Sequence, residues 1–260
     1  LVASSVLVVL LAASCLKTFW RPALIGAWVA VYAFFFALML GGFAGLTYVE
    51  TARWGGLPLT LLLASVSLVV AFPLAILLAL GRQSNLPAIR TLCVIFVEFV
   101  RGVPLISVLF MASFILPLFM PQGTQIDVLV RVLIGMTLFT AAYLAEVIRG
   151  GLQALPKGQV EAAHSLGLTY WQIQRMIVLP QALRLIVPPL TNQYLNAIKN
   201  SSLAVAIGYP DLVSISNTSL NQTGRAVECI AIVMAVYLTL SLLTASGMNY
   251  FNRRAALKER

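Results

Sequence analysis

The run at positions 57–80 carries no charged side chain, and it exceeds the roughly 20 residues that an α-helix needs to cross a bilayer core. Backbone in hydrocarbon has no water to bond, so a run of this length is held as helix. Further apolar runs place candidate spans at approximately 1–16, 23–46, 91–120, 129–150, 182–207 and 226–250. Composition agrees, since 10% of residues are charged against roughly a quarter in an average soluble domain. The expected fold class is therefore an all-α integral membrane protein, a polytopic helical bundle. The run 1–16 is short and reads as the tail of a longer helix. The next span follows it at once with no Ala-x-Ala site, which disfavours a signal peptide. Leu1 in place of a methionine points to a natural N-terminus upstream. The run 91–120 is too long for one straight crossing and is expected to bend at Gly102-Val103-Pro104.

The formal net charge is +9, but the basic residues fall at the ends of apolar runs rather than in one patch. That pattern suits lipid headgroups and membrane orientation, not nucleic acid. Short loops rich in Lys and Arg stay cytoplasmic. Lys17 and Arg21 mark one side, and Arg82 and Arg90 recur two crossings later. Arg149, Lys157, Arg175 and Arg184 follow after two more, and Arg253, Arg254, Lys258 and Arg260 after two again. With seven spans all these lie on one face, so residues 152–180 and the C-terminus are expected in the cytoplasm. The stretch Gly208–Gly224, rich in Ser, Asn and Thr, reads as an external loop.

The segment Glu161–Pro180 is the most informative polar stretch. Pro156 suits a helix start, where its missing N–H would have no partner anyway. Gly167 suits a left-handed position just past a helix end. Thr169 with Gln172 three residues on reads as a capping box that begins a second helix. Two short helices joined by a tight bend make a compact knob. The competing reading is an amphipathic helix on the membrane surface, favoured by Trp171, Arg175 and Met176.

Catalytic chemistry finds little support. There is no Gly-x4-Gly-Lys-Ser/Thr, so the chain has no P-loop for ATP. His164 is the single histidine, which excludes a His-rich metal cluster and a Ser/His/Asp set. Cys15, Cys93 and Cys229 lie in apolar segments without paired spacing and read as small buried hydrophobes. Neither a catalytic nor a metal site is expected. Ionisable residues inside spans are more telling, because each costs roughly 2.5–3.5 kcal/mol at mid-bilayer on insertion scales. Arg101 lies eleven residues beyond Arg90, about 16 Å along a helix. It either lines a pathway or pairs with Glu98 three residues back. Glu146 likewise either lines the pathway or pairs with Arg149 or Arg101. Tyr143, Asn200, Ser201 and Ser202 offer uncharged hydrogen bonds nearby, and such groups also serve as helix–helix glue. Arg225 and Glu228 are expected to pair at a helix end on the outer face.

The spacing from Glu161-Ala162-Ala163 through Gly167 and Ile177 to Leu179-Pro180 resembles the EAA loop, EAA-x3-G-x9-I-x-LP, of ATP-binding-cassette importer membrane subunits. Phe99-Val-Arg-Gly-Val-Pro104, Ala142-Tyr-Leu-Ala-Glu-Val-Ile-Arg-Gly-Gly151, Lys157 to Gly167 and Lys199-Asn-Ser-Ser-Leu203 are similar to the polar amino-acid permeases of that group, the histidine/glutamine type. The resemblance covers residues 57–255. It implies a five-helix importer core over 51–260 and about two extra N-terminal transmembrane helices within 1–50.

The resemblance further implies that Glu161, Ala162, Ala163, Gly167, Leu179 and Pro180 couple the chain to a dimer of ATPase subunits that bind ATP. No cofactor is expected on this chain. It also implies a second permease chain, identical or homologous, and a periplasmic amino-acid-binding protein that delivers an L-amino acid. By analogy Arg101 meets the substrate carboxylate, and Glu146 meets its ammonium or a cationic side chain. Tyr143, Asn200 and Ser201 complete the implied site. In members selective for cationic cargo a second acid is expected one turn before that glutamate. Tyr143 occupies the place, which leans toward neutral or mixed amino acids. The alternatives are a permease for another small polar solute and an ion-coupled secondary transporter. Sparse acids within the spans count against the secondary transporter.

Overall fold

The computed structural model describes residues 22–42, 45–121 and 126–255. All its regular elements are helical, and the chain divides into two compact units, Leu1–Trp54 and Gly55–Arg260. The expected span 1–16 lies outside the described residues. In the first unit, α1 runs Pro22–Leu40, shorter than the apolar run 23–46 suggested. Gly41 and Gly42 both adopt positive φ, and that pair of left-handed residues stops the helix. A 3-10 turn follows at Thr51–Arg53, and the Phe36 ring meets Trp54 edge-on at 5.2 Å.

The second unit carries α2 (Gly56–Arg82), α3 (Pro87–Gly102), α4 (Leu105–Phe110) and α5 (Val128–Gln153). Then come α6 (Lys157–Ser165), α7 (Tyr170–Ile173), α8 (Leu179–Asn200), α9 (Leu212–Thr223) and α10 (Ala226–Ala255). Among the described residues α2, α5 and α10 are long and apolar enough to cross a membrane. The expected bend at Gly102-Val103-Pro104 is a sharp break. α3 and the segment Leu105–Phe119 meet at 108°, so 91–120 is a broken span or a re-entrant loop rather than one curved crossing. Pro104 has no N–H to continue α3 and Val103 is extended before it, which is the local cause.

α2 and α5 form the most extensive helix pair. Ala71, Ala75 and Ala79 of α2 face Ala141, Ala142 and Ala145 of α5 in one buried cluster. Small side chains let the backbones approach closely, the main source of helix adhesion where lipid is as apolar as leucine. Gly151 does the same between α5 and α8, since a Cβ there would lie 2.2 Å from Ile186 Cγ1. Beyond Gly102, α4 passes into a π turn at Met111–Ile115, where the Arg131 guanidinium donates to the Ser113 carbonyl.

The expected external loop at 208–224 is mostly helix. Asp211 caps α9 by accepting from the Ser214 N–H at 2.9 Å, and Gly224 ends it with φ +68°. The serines and threonines that suggested a loop donate back to carbonyls one turn earlier, as Thr218 does to Ser214 and Thr223 to Ser219. α9 is tied to the start of α2, where the Gly56 N–H donates to the Pro210 carbonyl and the Leu212 N–H to the Thr60 hydroxyl. The expected Arg225–Glu228 ion pair does not form among the described residues. Both side chains are exposed, and Glu228 instead sits in the first turn of α10, where a helix dipole favours an acid.

Candidate functional site: a polar cavity, an ionic cluster and an exposed knob

A cavity of about 320 Å³ lies between α5 and α8. Phe139, Thr140, Tyr143, Gln193, Asn196, Ala197 and Asn200 line it. Residues 193, 196 and 200 recur at helical spacing, so one face of α8 presents three amides to the space. That face explains why α8 lacks the apolar composition of α2 or α10. Among the described residues no charged side chain lines the cavity. It is suited to a small solute with hydrogen-bonding groups, flanked by the Phe139 and Tyr143 rings, which lie 4.8 Å apart.

One turn further along α5 lies an ionic cluster. Arg82 donates to Glu146 at 2.9 Å and to Glu98 at 2.7 Å. Arg149 grips both oxygens of Glu146 and also donates to Gln153. Arg101 stands farther off, 3.6 Å from Glu98 and 3.5 Å from Glu146. Its guanidinium lies over the Tyr143 ring at 5.8 Å, and the Tyr143 hydroxyl donates to the Arg101 carbonyl at 3.3 Å. Tyr143 therefore joins the cavity wall to the cluster.

The sequence reading placed Arg101, Glu146, Tyr143, Asn200 and Ser201 in one site. Tyr143 and Asn200 line the cavity, while Arg101 and Glu146 lie in the cluster beneath it. Ser201 is fully buried and its hydroxyl donates to the Ile198 carbonyl, so it does not face the cavity. Gln193, Asn196 and Thr140 were missed, although the 193-196-200 spacing of amides in an otherwise apolar helix marks them. Arg82 was missed because its position at a span end reads as a loop charge. Its long side chain instead reaches back to α3 and α5.

The knob follows directly. α6 ends at Gly167, whose φ is +74°. The Gly167 N–H donates to His164 and the Leu168 N–H to Ala163, the paired bonds of a Schellman stop. Ala163 is 2% exposed and packs with Ile173 and Val178 in a small core of their own. The Gln172 side chain accepts from the Thr169 N–H at 2.8 Å and opens α7. A π turn at Gln174–Val178 leads into Leu179-Pro180 at the start of α8. Glu161 and Ala162 are exposed, as are Leu166, Tyr170, Trp171 and Met176, with Trp171 at 78%.

The second unit is thus a bundle of helices, three of them of membrane-spanning length, with a polar cavity between α5 and α8 and a self-cored knob after α5. The chain belongs to the family of binding-protein-dependent transport system inner membrane components, which it matches over residues 71–257. That family is a membrane subunit rather than an enzyme. The chain is 56% identical over 195 residues to the inner membrane amino-acid ABC transporter permease protein YhdY of Escherichia coli K12, covering 75% of this chain and 53% of that one. It is 51% identical over 170 residues to the glutamate/glutamine/aspartate/asparagine transport system permease protein BztC of Rhodobacter capsulatus, covering 65% and 39%. The chain thus spans about half the length, or less, of these relatives. A crystal structure of an amino acid ABC transporter with histidines superposes with a TM-score of 0.69 at 27% identity, over 87% of this chain and 96% of that one.

Proposed function

We propose that this chain forms the translocation pathway of an ATP-driven importer of L-amino acids in the bacterial plasma membrane. Its C-terminus and knob are assigned to the cytoplasm by the Lys and Arg bias of the short loops. The observation that carries the reading is the order of features along α5. Cavity residues 139–143 come first, the ionic cluster at 146–153 second, and the knob after residue 156. Cargo contact and coupling surface therefore follow one another along the chain, the first on α5 and the second just beyond its end.

In this mechanism a periplasmic binding protein delivers an amino acid to the outer mouth. Tyr143, Gln193, Asn196 and Asn200 offer donors and acceptors to its polar groups, and Arg101 attracts its carboxylate as a guanidinium does. The exposed apolar face of Leu166, Trp171 and Met176 seats in an ATPase subunit, which binds the ATP; this chain holds no cofactor of its own. A second permease chain completes the pathway. ATP-driven closure of the two ATPases moves both knobs, and must favour the outward-open form by several kcal/mol to shift the populations decisively. The uncharged cavity wall supports neutral and mixed cargo.

The test is purification of the tagged chain from its host in mild detergent, followed by uptake in vesicles. Co-purification of a P-loop ATPase and accumulation of amino acids only with internal ATP are expected. Recovery of the chain alone, with uptake that survives ATP depletion but collapses with an uncoupler, would replace this reading with an ion-coupled transporter.

A further inference from the structure

The ionic cluster does not hold its charges equally. Three guanidinium groups, those of Arg82, Arg101 and Arg149, stand against two carboxylates, those of Glu98 and Glu146. One positive charge is left over, and the geometry shows where it resides. Glu146 has both oxygens occupied by Arg149, and Oε2 also accepts from Arg82. Glu98 accepts from Arg82. Arg101 makes no hydrogen bond through its side chain among the described residues. Its 3.5 and 3.6 Å separations lie beyond hydrogen-bond range, and its Nε is buried without a partner. The most loosely held cation is the one that lies over Tyr143, a wall of the cavity.

Arg82 is the reason. It is the most buried member of the cluster, 10% exposed, and among the described residues it alone hydrogen-bonds both glutamates. Without it Glu98 would keep only Arg101, which stands 3.6 Å away on the same face of α3 and is placed to close into a hydrogen bond. We infer that Arg82 is a positioning residue: by hydrogen-bonding Glu98 and Glu146 it keeps Arg101 only loosely ion-paired and so available to the carboxylate of the cargo, and it withholds Glu146 from the cargo ammonium. This rests on the reading that the chain carries amino acids. It departs from the expectation that Glu146 contacts the ammonium. On this arrangement the cargo's carboxylate is recognised by charge, and its ammonium by the neutral oxygens of the cavity.

The experiment uses the whole importer in vesicles, with amino-acid uptake measured against external concentration. Arg82→Gln is expected to raise KM at least about tenfold, equivalent to 1.4 kcal/mol, while the saturated rate changes far less. Arg82→Lys should recover part of the loss, as a single cation serves one glutamate less well than a fork serves two. The decisive variant is Arg82→Gln with Glu98→Gln, which restores the spare charge and should return KM close to wild type. Glu98→Gln alone, at a side chain 53% exposed and so tolerant of change, should lower KM. A double variant as impaired as Arg82→Gln, or a Glu98→Gln KM equal to or above wild type, would overturn the inference. Wild-type vesicles that accumulate no amino acid with ATP would sink the transport reading itself, and this inference with it.

Discussion

Replacing Gly167 separates backbone geometry from side-chain space at the knob proposed to couple transport to ATP. A Cβ at this position would meet nothing within 4 Å, so any cost of Gly167→Ala is conformational. At φ +74° an L-residue without a local polar group pays roughly 1–2 kcal/mol. α6 is only nine residues long, too short to hold itself in water, so the Schellman bonds and the Ala163–Ile173–Val178 core decide whether it stays folded. A loss of that size lowers the folded-to-unfolded ratio of the knob about five- to thirtyfold. Asparagine tolerates the left-handed region, so Gly167→Asn should stay near wild type although its side chain is larger. Gly167→Pro should be worst, because it fixes φ near −65° and removes the N–H that His164 accepts. The assay is paired measurement of ATP hydrolysis and uptake in the assembled importer. Uptake per ATP should fall in the order Gly, Asn, Ala, Pro. An alanine variant coupled as well as wild type, or an asparagine variant no better than alanine, would refute the argument.

Gly151→Ala places a Cβ against Ile186 and should cost about 1–3 kcal/mol by overpacking, read as a lower melting temperature in detergent; adding Ile186→Ala should recover part of it. Ile173→Ala empties the middle of the knob core and should cost about 2–5 kcal/mol locally, read as faster amide exchange across 157–178 with α2 and α5 unchanged. Burial lifts the Asp211 carboxyl above the ordinary carboxylate range, although backbone N–H groups of Ser214 and Val213 pull the other way, and its Oδ2 has no partner. The folded chain then holds this proton more tightly than the unfolded one, so its contribution to stability falls as pH rises from the ordinary carboxylate value through the raised one. Asp211→Asn keeps the cap, and melts across that window should show a flatter pH dependence; an unchanged slope would count against the burial argument.

The sequence made some of this legible and hid the rest for identifiable reasons. The knob was readable because its rules are local: a left-handed glycine, a Thr–Gln cap and a proline act within a few residues. Apolar length gave α2, α5 and α10 directly. Gly41-Gly42 stops α1 inside the apolar run 23–46, which apolar length alone does not register. α9 was misread because Ser, Thr and Asn counts point to loops, whereas the caps at Asp211 and Gly224 decide its state. The ionic cluster was half readable. Glu98 with Arg101 and Glu146 with Arg149 are spaced for one helix face, but nothing local says that Arg82 reaches across sixty-four residues of chain to Glu146.

The tertiary contacts of α5 bear on how coupling is transmitted. Against α2 it meets a stripe of alanines at close approach, and against α8 it meets Ile186 over Gly151, so neither helix slides without opening a void or a clash. The ionic cluster adds links from α5 to the end of α2 and to α3, on the side of the cavity toward the knob. On the proposed mechanism, movement of the knob is passed to α5 as displacement of a packed set, and the cavity walls contributed by α5 and α8 move with it. The same rigidity sets the expected pattern of variants. Changes at 167 and 173 should lower uptake per ATP while leaving KM for cargo near wild type, and changes at 82, 101 and 200 should do the reverse. A knob variant that shifted KM as strongly as it shifted coupling would show that the knob and cavity are not joined by a stiff element.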